Sequence, residues 1–491
     1  MHPRASSIGA IAFLPIGALL GMAFAGVSAS DLRWAIALTA AAVFLFVLLL
    51  IPSRQRFLWL ILVFSFQFKE PEVRLFYEHA GTEGLLLTLP FMLGLLFLAA
   101  LAGSGKLRPT SDFEWGGPIG IPAAALFGAS VVSLIPSHEH FLGLSDLLLQ
   151  LQLYLIYLLA LNSVRSEEDL KLTLKILFIS LGIQCVVYFV ESAFDIGYIS
   201  LTQGIVKSVG PFKTRPGGTL GTNPFSFTNF ALPLIFILVA TILPNRPSEE
   251  PARWRQGILI AMGITAIALT LTRSAYANLF VGLLCVSLIG FLRGSVSVRK
   301  ALAIFGFAAL VAALTAPLVL QRLEREPLDR SYDERAALMR MAVNVIAANP
   351  FLGVGPGAYV ATYKQYLTPD LQDKWQFMVH NHYLLRTAET GIFGGLSLVL
   401  ILVMGLRQSF RLTVSSRPVI KGLALGCVAT VVTTAHQMFW DQWTHVPAQM
   451  LFWFLLGLLG AAQSIDARHR QGAPVSQTTG PAPDASRGCG A

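Results

Sequence analysis

Arginines and histidines at the starts of apolar runs are the residues in this sequence best suited to chemistry. Arg215 stands beside Gly217, Gly218 and Gly221, just ahead of a run that opens with Asn223 and Pro224. Asn followed by Pro reads as a helix N-cap and first helical position. Glycines let backbone N–H groups approach a ligand, and a helix start favours an anion. The same residues also suit a plain polar connector. Arg273 lies in a short turn between two long apolar runs, where a guanidinium is costly unless it pairs or faces water. The alternative is an interfacial arginine that snorkels. His380, Asn381 and His382, followed by Tyr383 and Arg386, lead into a further apolar run. If these three helix starts converge, their positive dipole ends and cations make an anion pocket. At a lipid boundary its natural occupant is a lipid-linked diphosphate.

The elements that must position these residues are membrane helices. The chain has 491 residues, of which 54% are hydrophobic and 13% charged, against roughly 25% charged in a soluble protein. This excludes a soluble globule, a disordered chain and a solenoid. Long apolar runs recur throughout, which predicts an all-α polytopic membrane protein in contact with the lipid bilayer. A transmembrane barrel would show short alternating segments instead. The runs fall near 8–28, 32–51, 57–68, 84–102, 119–136, 141–162, 170–194, 224–244, 256–272, 274–292, 300–320, 384–406, 419–439 and 446–465. The third is too short to cross a core of about 30 Å unaided, so 12–14 helices are expected. Small residues at Ala23 and Ala25 also give the first run a signal-peptide flavour, although its length favours an uncleaved helix.

With the N-terminus in the cytoplasm, every inside loop carries at least two basic residues. The net charge of +9 has its source there, and no nucleic-acid partner is implied. This orientation leaves a long periplasmic loop at 321–383, both termini cytoplasmic, and a bacterial inner-membrane location. The organisation is thus 1–320, helices with short loops; 321–383, the long loop; 384–470, the last helices; and 471–491, a disordered tail rich in Gly, Ala, Pro and Ser. None of the four cysteines falls in an outside loop, and no Cys/His cluster has zinc-ligand spacing.

Within the long loop, residues 333–348 show helical periodicity, with Leu338, Met341, Val345 and Ala348 on one stripe. Asn349-Pro350 stops it, and Gly353, Gly355 and Gly357 make an irregular turn. No strand precedes that glycine run, so it is weak evidence for nucleotide binding.

Taken together, these features resemble the O-antigen ligase and polymerase superfamily of bacterial envelope glycosyltransferases. The likeness lies in an arginine at a short outer turn (Arg273), an Arg-led loop helix (Arg335), the turn Pro350–Tyr359, and the stretch from His380 to Gly394. It is clear over 256–406 and looser at Arg215. It implies a GT-C-type helical bundle and a metal-independent enzyme without cofactor. Such an enzyme moves a glycan from undecaprenyl diphosphate to an acceptor hydroxyl with inversion. The acceptor is either lipid A–core (ligase) or a lipid-linked glycan (polymerase), and other envelope polysaccharide assembly proteins are expected partners.

The resemblance assigns the catalytic roles to His380, Arg273 and Arg215. The two arginines would offset charge growing on the leaving diphosphate, and His380 would take the acceptor proton. Asn381 and Tyr383 would orient the base or the glycan. Arg335, Arg340, Arg386, Lys69 and Arg74 are expected substrate contacts. Glu70 and Glu72 keep a metal-dependent site open as a rival. Trp375, Trp440 and Trp443 suit sugar stacking, or simple interfacial anchoring. A transporter of lipid-linked saccharides without chemistry is the alternative from another class. It would want charged residues at mid-membrane, and the runs carry few.

Overall fold

A computed structural model describes residues 53–69, 72–75, 85–103, 114–194, 196–200, 204–207, 216–221, 223–242, 253–325, 328–372 and 377–472. In chain order the helices are α1 (Arg54–Ser65), α2 (Leu89–Gly103), α3 (Gly120–Val132), α4 (His140–Ser163), α5 (Glu167–Ala193), α6 (Pro224–Ile242) and α7 (Arg253–Leu269). They continue with α8 (Arg273–Leu292), α9 (Val298–Arg325), α10 (Leu328–Ala348), the single turn α11 (Tyr359–Thr362), α12 (His382–Leu412), α13 (Pro418–Trp440) and α14 (Val446–Gly472). Two short antiparallel hairpins join them, β1 (Glu72–Leu75) with β2 (Leu85–Thr88) and β3 (Ile196–Ser200) with β4 (Gly204–Lys207).

This is an all-α multi-pass membrane protein. Among the described residues, eight helices are long and apolar enough to cross a bilayer, and α2, α3 and α7 are shorter apolar helices. Twelve of the fourteen expected runs coincide with helices; the first two, near 8–28 and 32–51, lie outside the described residues. The third run becomes α1, whose 12 residues reach about 18 Å, short of a full crossing.

Helix α6 is the centre of the bundle, buried along nearly its whole length. Gly422 and Gly426, four residues apart on α13, let that helix lie against it: side chains there would run into Thr241 and Ile237. Close backbone approach at small residues is how membrane helices gain packing where apolar burial between helices gives little. Helix α14, also largely buried, packs on α4 and α6, whereas α9 is mostly exposed towards the space a bilayer would fill.

The segment expected as a long loop is largely structured. Helix α10 starts upstream of the periodic stretch and ends at Ala348, where Asn349-Pro350 stops it. Its Leu338, Met341 and Val345 are buried as expected, together with Ala337 and Ala342, in a second, smaller core with Tyr359, Tyr363 and Val379. Ala348 is exposed and does not belong to the stripe.

The glycine turn docks on a kink in α12. Gly391 interrupts that helix with φ +67° and ψ −176°, a backbone region open in practice to glycine alone. The kink frees two carbonyls and one N–H that the turn then satisfies. Val354 N–H donates to Ala388 O at 3.0 Å, Gly355 N–H to Glu389 O at 3.0 Å, and Ile392 N–H to Pro350 O at 2.9 Å. Gly353 itself has φ +69° and stacks against the Glu389 carbonyl too closely for a β-carbon. The two glycine-bearing motifs are therefore two halves of one joint.

Candidate active site

The site is built around the turn between α13 and α14, residues 441–445. Three helix starts reach it. From α6, Ser226 Oγ lies 3.1 Å from His445 Nδ1. From α8, Asn278 donates to Gln437 Oε1 at 2.7 Å, one turn before Asp441. At the start of α12, His382 Nδ1 lies 2.5 Å from the Gln442 carbonyl. The helices that start near Pro224, Arg273 and His382 thus each contact this turn or the end of α13 just before it.

His380 precedes α12 and turns its Nδ1 towards Asp441 Oδ1 at 3.7 Å, with the side chains 22% and 10% exposed. That is ion-pair range and longer than a hydrogen bond. The ring stacks on Phe377, with centroids 6.1 Å apart. With Nδ1 towards the carboxylate, Nε2 is the ring nitrogen on the side away from Asp441. Burial by itself would raise the Asp441 carboxyl; the nearby His380, His445 and Gln437 outweigh it and hold the group below the usual carboxylate value. Burial pushes His445 down, and Lys69 adds to this against the opposing pull of Asp441.

Neither Asp441 nor His445 stood out from the sequence. Their signal was a polar pair, four apart, inside a turn between two apolar runs, and the tryptophans beside them drew the reading towards interfacial anchoring. Trp443 is in fact buried, edge-on to His382 and Phe452. Trp440 donates its indole N–H to His436, and Trp375 lies outside the described residues.

The expected cations are distributed unevenly. Arg273 is the first residue of α8, half-buried, five residues before Asn278. Lys69 belongs to the same region: its N–H donates to Thr219 O at 3.1 Å and its side chain lies against Gly221. Arg215 lies outside the described residues, and of Arg74 only the backbone, paired with Leu86, is described. Arg335 and Arg340 sit on α10, with Arg340 in an exposed pair with Asp370 at 3.1 Å.

Three expected substrate contacts are engaged inside the protein. Arg386 forks onto Asp146 of α4 at 2.7 and 2.9 Å and reaches Glu389 at 3.4 Å, which makes it a clamp between α12 and α4. Asn381 caps α12 by accepting the Leu384 N–H at 3.0 Å. Tyr383 donates its hydroxyl to Ala435 O at 2.9 Å and ties α12 to α13. All three fix the start of α12, and with it the backbone that carries His380.

The glycines near Arg215 are likewise occupied. Gly218 has φ +66° and donates its N–H to the buried Glu191 at 3.0 Å, while the Gly221 N–H bonds Gly218 O at 3.3 Å. Those two amides do not face a ligand. Among the described residues no three His, Cys, Asp or Glu side chains gather as a metal ligand set. Glu70 lies outside the described residues, and only the backbone of Glu72 is described. A small cavity of about 20 Å³ opens beside Asn278 and Gln437, walled also by Asn229, Thr433, Thr434, Trp443 and the apolar Leu232 and Phe452.

Residues 258–399, from α7 through the kink in α12, match the family model described as O-antigen ligase. That stretch is similar to the O-antigen ligase family. The matched stretch holds Arg273, the α10 helix, the glycine joint and His380. Asp441 and His445 come from the turn between α13 and α14, beyond the matched residues. A comparison with curated proteins returned no match.

Proposed function

We propose that this protein transfers a glycan from undecaprenyl diphosphate to an acceptor hydroxyl, with inversion and without a metal, on the periplasmic side of the bacterial inner membrane. The observation that carries this reading is the approach of His380 to Asp441 at the gathered helix starts, next to the helix that opens with Arg273. In the reaction the acceptor oxygen attacks the sugar C1 and its proton passes to His380 Nε2. The C1–O bond to the diphosphate breaks, and the diphosphate leaves with the electron pair.

Each residue then has a physical task. Asp441 orients the imidazole and favours the imidazolium that forms. Arg273, Arg215 and Lys69 meet the charge on the leaving diphosphate, reinforced by the dipole ends of α6 and α8. Arg335 and Arg340 line the approach on α10. Arg386, Asn381 and Tyr383 position the start of α12.

The test uses purified protein in lipid nanodiscs with undecaprenyl-diphosphate oligosaccharide. Lipid A–core and a second lipid-linked oligosaccharide serve as alternative acceptors, and the anomeric configuration of the product is read by NMR. Product with inverted configuration that forms equally in EDTA is the expected result, and the acceptor that supports it separates ligase from polymerase. Activity restored only by Mg²⁺ or Mn²⁺ would move the chemistry to a metal site at Glu70 and Glu72. Movement of the lipid-linked glycan across the bilayer without transfer would make the protein a transporter.

A further inference from the structure

We infer that Asn278 and Gln437 are positioning residues of a one-way hydrogen-bond relay that runs from Trp440 to Asp441 and sets the carboxylate that orients His380. This rests on the base role proposed for His380.

The relay is read from five side chains on two helices and the turn after them. Trp440 Nε1 lies 3.1 Å from His436 Nε2. His436 Nδ1 lies 2.6 Å from Asn278 Oδ1. Asn278 Nδ2 lies 2.7 Å from Gln437 Oε1, and Gln437 Nε2 lies 3.4 Å from Asp441 Oδ2. Asp441 then turns its other oxygen to His380.

Its direction follows from one fixed end. An indole N–H can only donate. His436 Nε2 must therefore accept, so the neutral ring carries its proton on Nδ1 and donates to Asn278 Oδ1. The Asn278 amide is thereby oriented, with Nδ2 donating to Gln437. The Gln437 amide is oriented in turn, with Nε2 donating to Asp441. Turning over either amide would set donor against donor. At the far end the carboxylate can only accept, so both ends agree on the same direction.

The burial of this chain explains its value. Asn278 and Gln437 are 2% and 3% exposed, and buried amides without partners are costly. A satisfied chain holds Asp441 in one rotamer and occupies its second oxygen, while the first accepts the Gln442 N–H at 2.9 Å and faces His380. It also couples α8, which opens with Arg273, to the turn that carries Asp441. The spacing between leaving-group cation and base partner is then set by side chains that touch neither substrate.

The relay is tested by turnover and by tautomer. Asn278→Leu and Gln437→Leu should each lower kcat about tenfold with KM for the lipid-linked donor unchanged within about twofold. If the residues act as one unit, the double variant should be no slower than the worse single. Gln437→Glu, which offers Asp441 an acceptor in place of a donor, should be at least as slow as Gln437→Leu. Losses that multiply in the double variant, or singles that keep the parent kcat, would overturn the relay.

Nitrogen-15 NMR of histidine-labelled protein in nanodiscs, assigned with His436→Gln, reads the direction without any turnover. A neutral His436 protonated on Nδ1 is expected, and a proton on Nε2 overturns the relay. A parent protein that transfers no glycan, with His436 in the expected tautomer, sinks the functional reading and leaves the relay standing.

Discussion

The carbonyl of Phe351 occupies the space that a β-carbon on Gly391 would need. One residue lies in the glycine turn after α10 and the other at the kink of α12, so a single atom-scale fit joins the segment ahead of the site to the helix that follows it. Gly391→Ala should disturb this joint twice, through the strained φ, worth about 1–3 kcal/mol, and through displacement of the turn. Thermal unfolding in detergent should show a lower midpoint than the parent. An unchanged midpoint would mean that the kink relaxes without cost.

The Arg386–Asp146 fork is buried, with both side chains 13% exposed. Removing one partner leaves an uncompensated charge and costs about 3–5 kcal/mol. Asp146→Ala should therefore reduce the yield of folded protein, and its loss of transfer should scale with that yield. If Asp146→Ala gave normal amounts of stable but inactive protein, the residue would have to be moved into the chemistry.

His380→Ala should leave donor binding intact and lower turnover by about 10²–10⁴. Asp441→Asn should fall in the same direction by less. Arg273→Ala should weaken donor binding as well, and Arg273→Lys should be nearly as poor, because lysine lacks the guanidinium fork. Turnover and donor affinity measured on correctly inserted variants separate these roles. Near-normal transfer by His380→Ala would remove the base assignment.

Acid should destabilise the fold through the same turn. His445 is shifted below its ordinary 6.5, so the unfolded chain binds a proton there more readily than the folded one. That contribution is complete above about pH 6.5 and is lost as pH falls towards the folded value. Asp441, also shifted down, adds a loss at lower pH, below its ordinary 3.8. Unfolding midpoints should drop between pH 7.5 and pH 5, and His445→Gln should flatten that drop. Equal slopes for parent and variant would place the acid sensitivity elsewhere.

The orientation proposed from loop charge puts α10 and the glycine turn outside the cell membrane. A cysteine substituted at Asp370, an exposed position, should react with an impermeant maleimide from the periplasmic side. Labelling confined to the cytoplasmic side would invert the topology.

The all-α membrane class, the approximate positions of twelve apolar helices among the described residues and the stop at Asn349-Pro350 were legible in the sequence alone, because apolar length and proline chemistry act locally. The approach of three helix starts was foreseeable in part, since their common side followed from charge bias and span parity. What Arg386, Asn381 and Tyr383 touch was not foreseeable. Near a cluster of histidines they read as ligand contacts, and the fold gives them Asp146, the Leu384 amide and the Ala435 carbonyl. The glycine run was equally ambiguous until the kink at Gly391 supplied carbonyls for it to satisfy. Asp441 is the sharpest case. It lies 61 residues after His380 by number, with two membrane helices between, and nothing in its own neighbourhood marks it as the partner of a base. Antiparallel packing of α12 against α13 brings the pair together, and packing between distant segments is the part of a structure that local sequence does not encode.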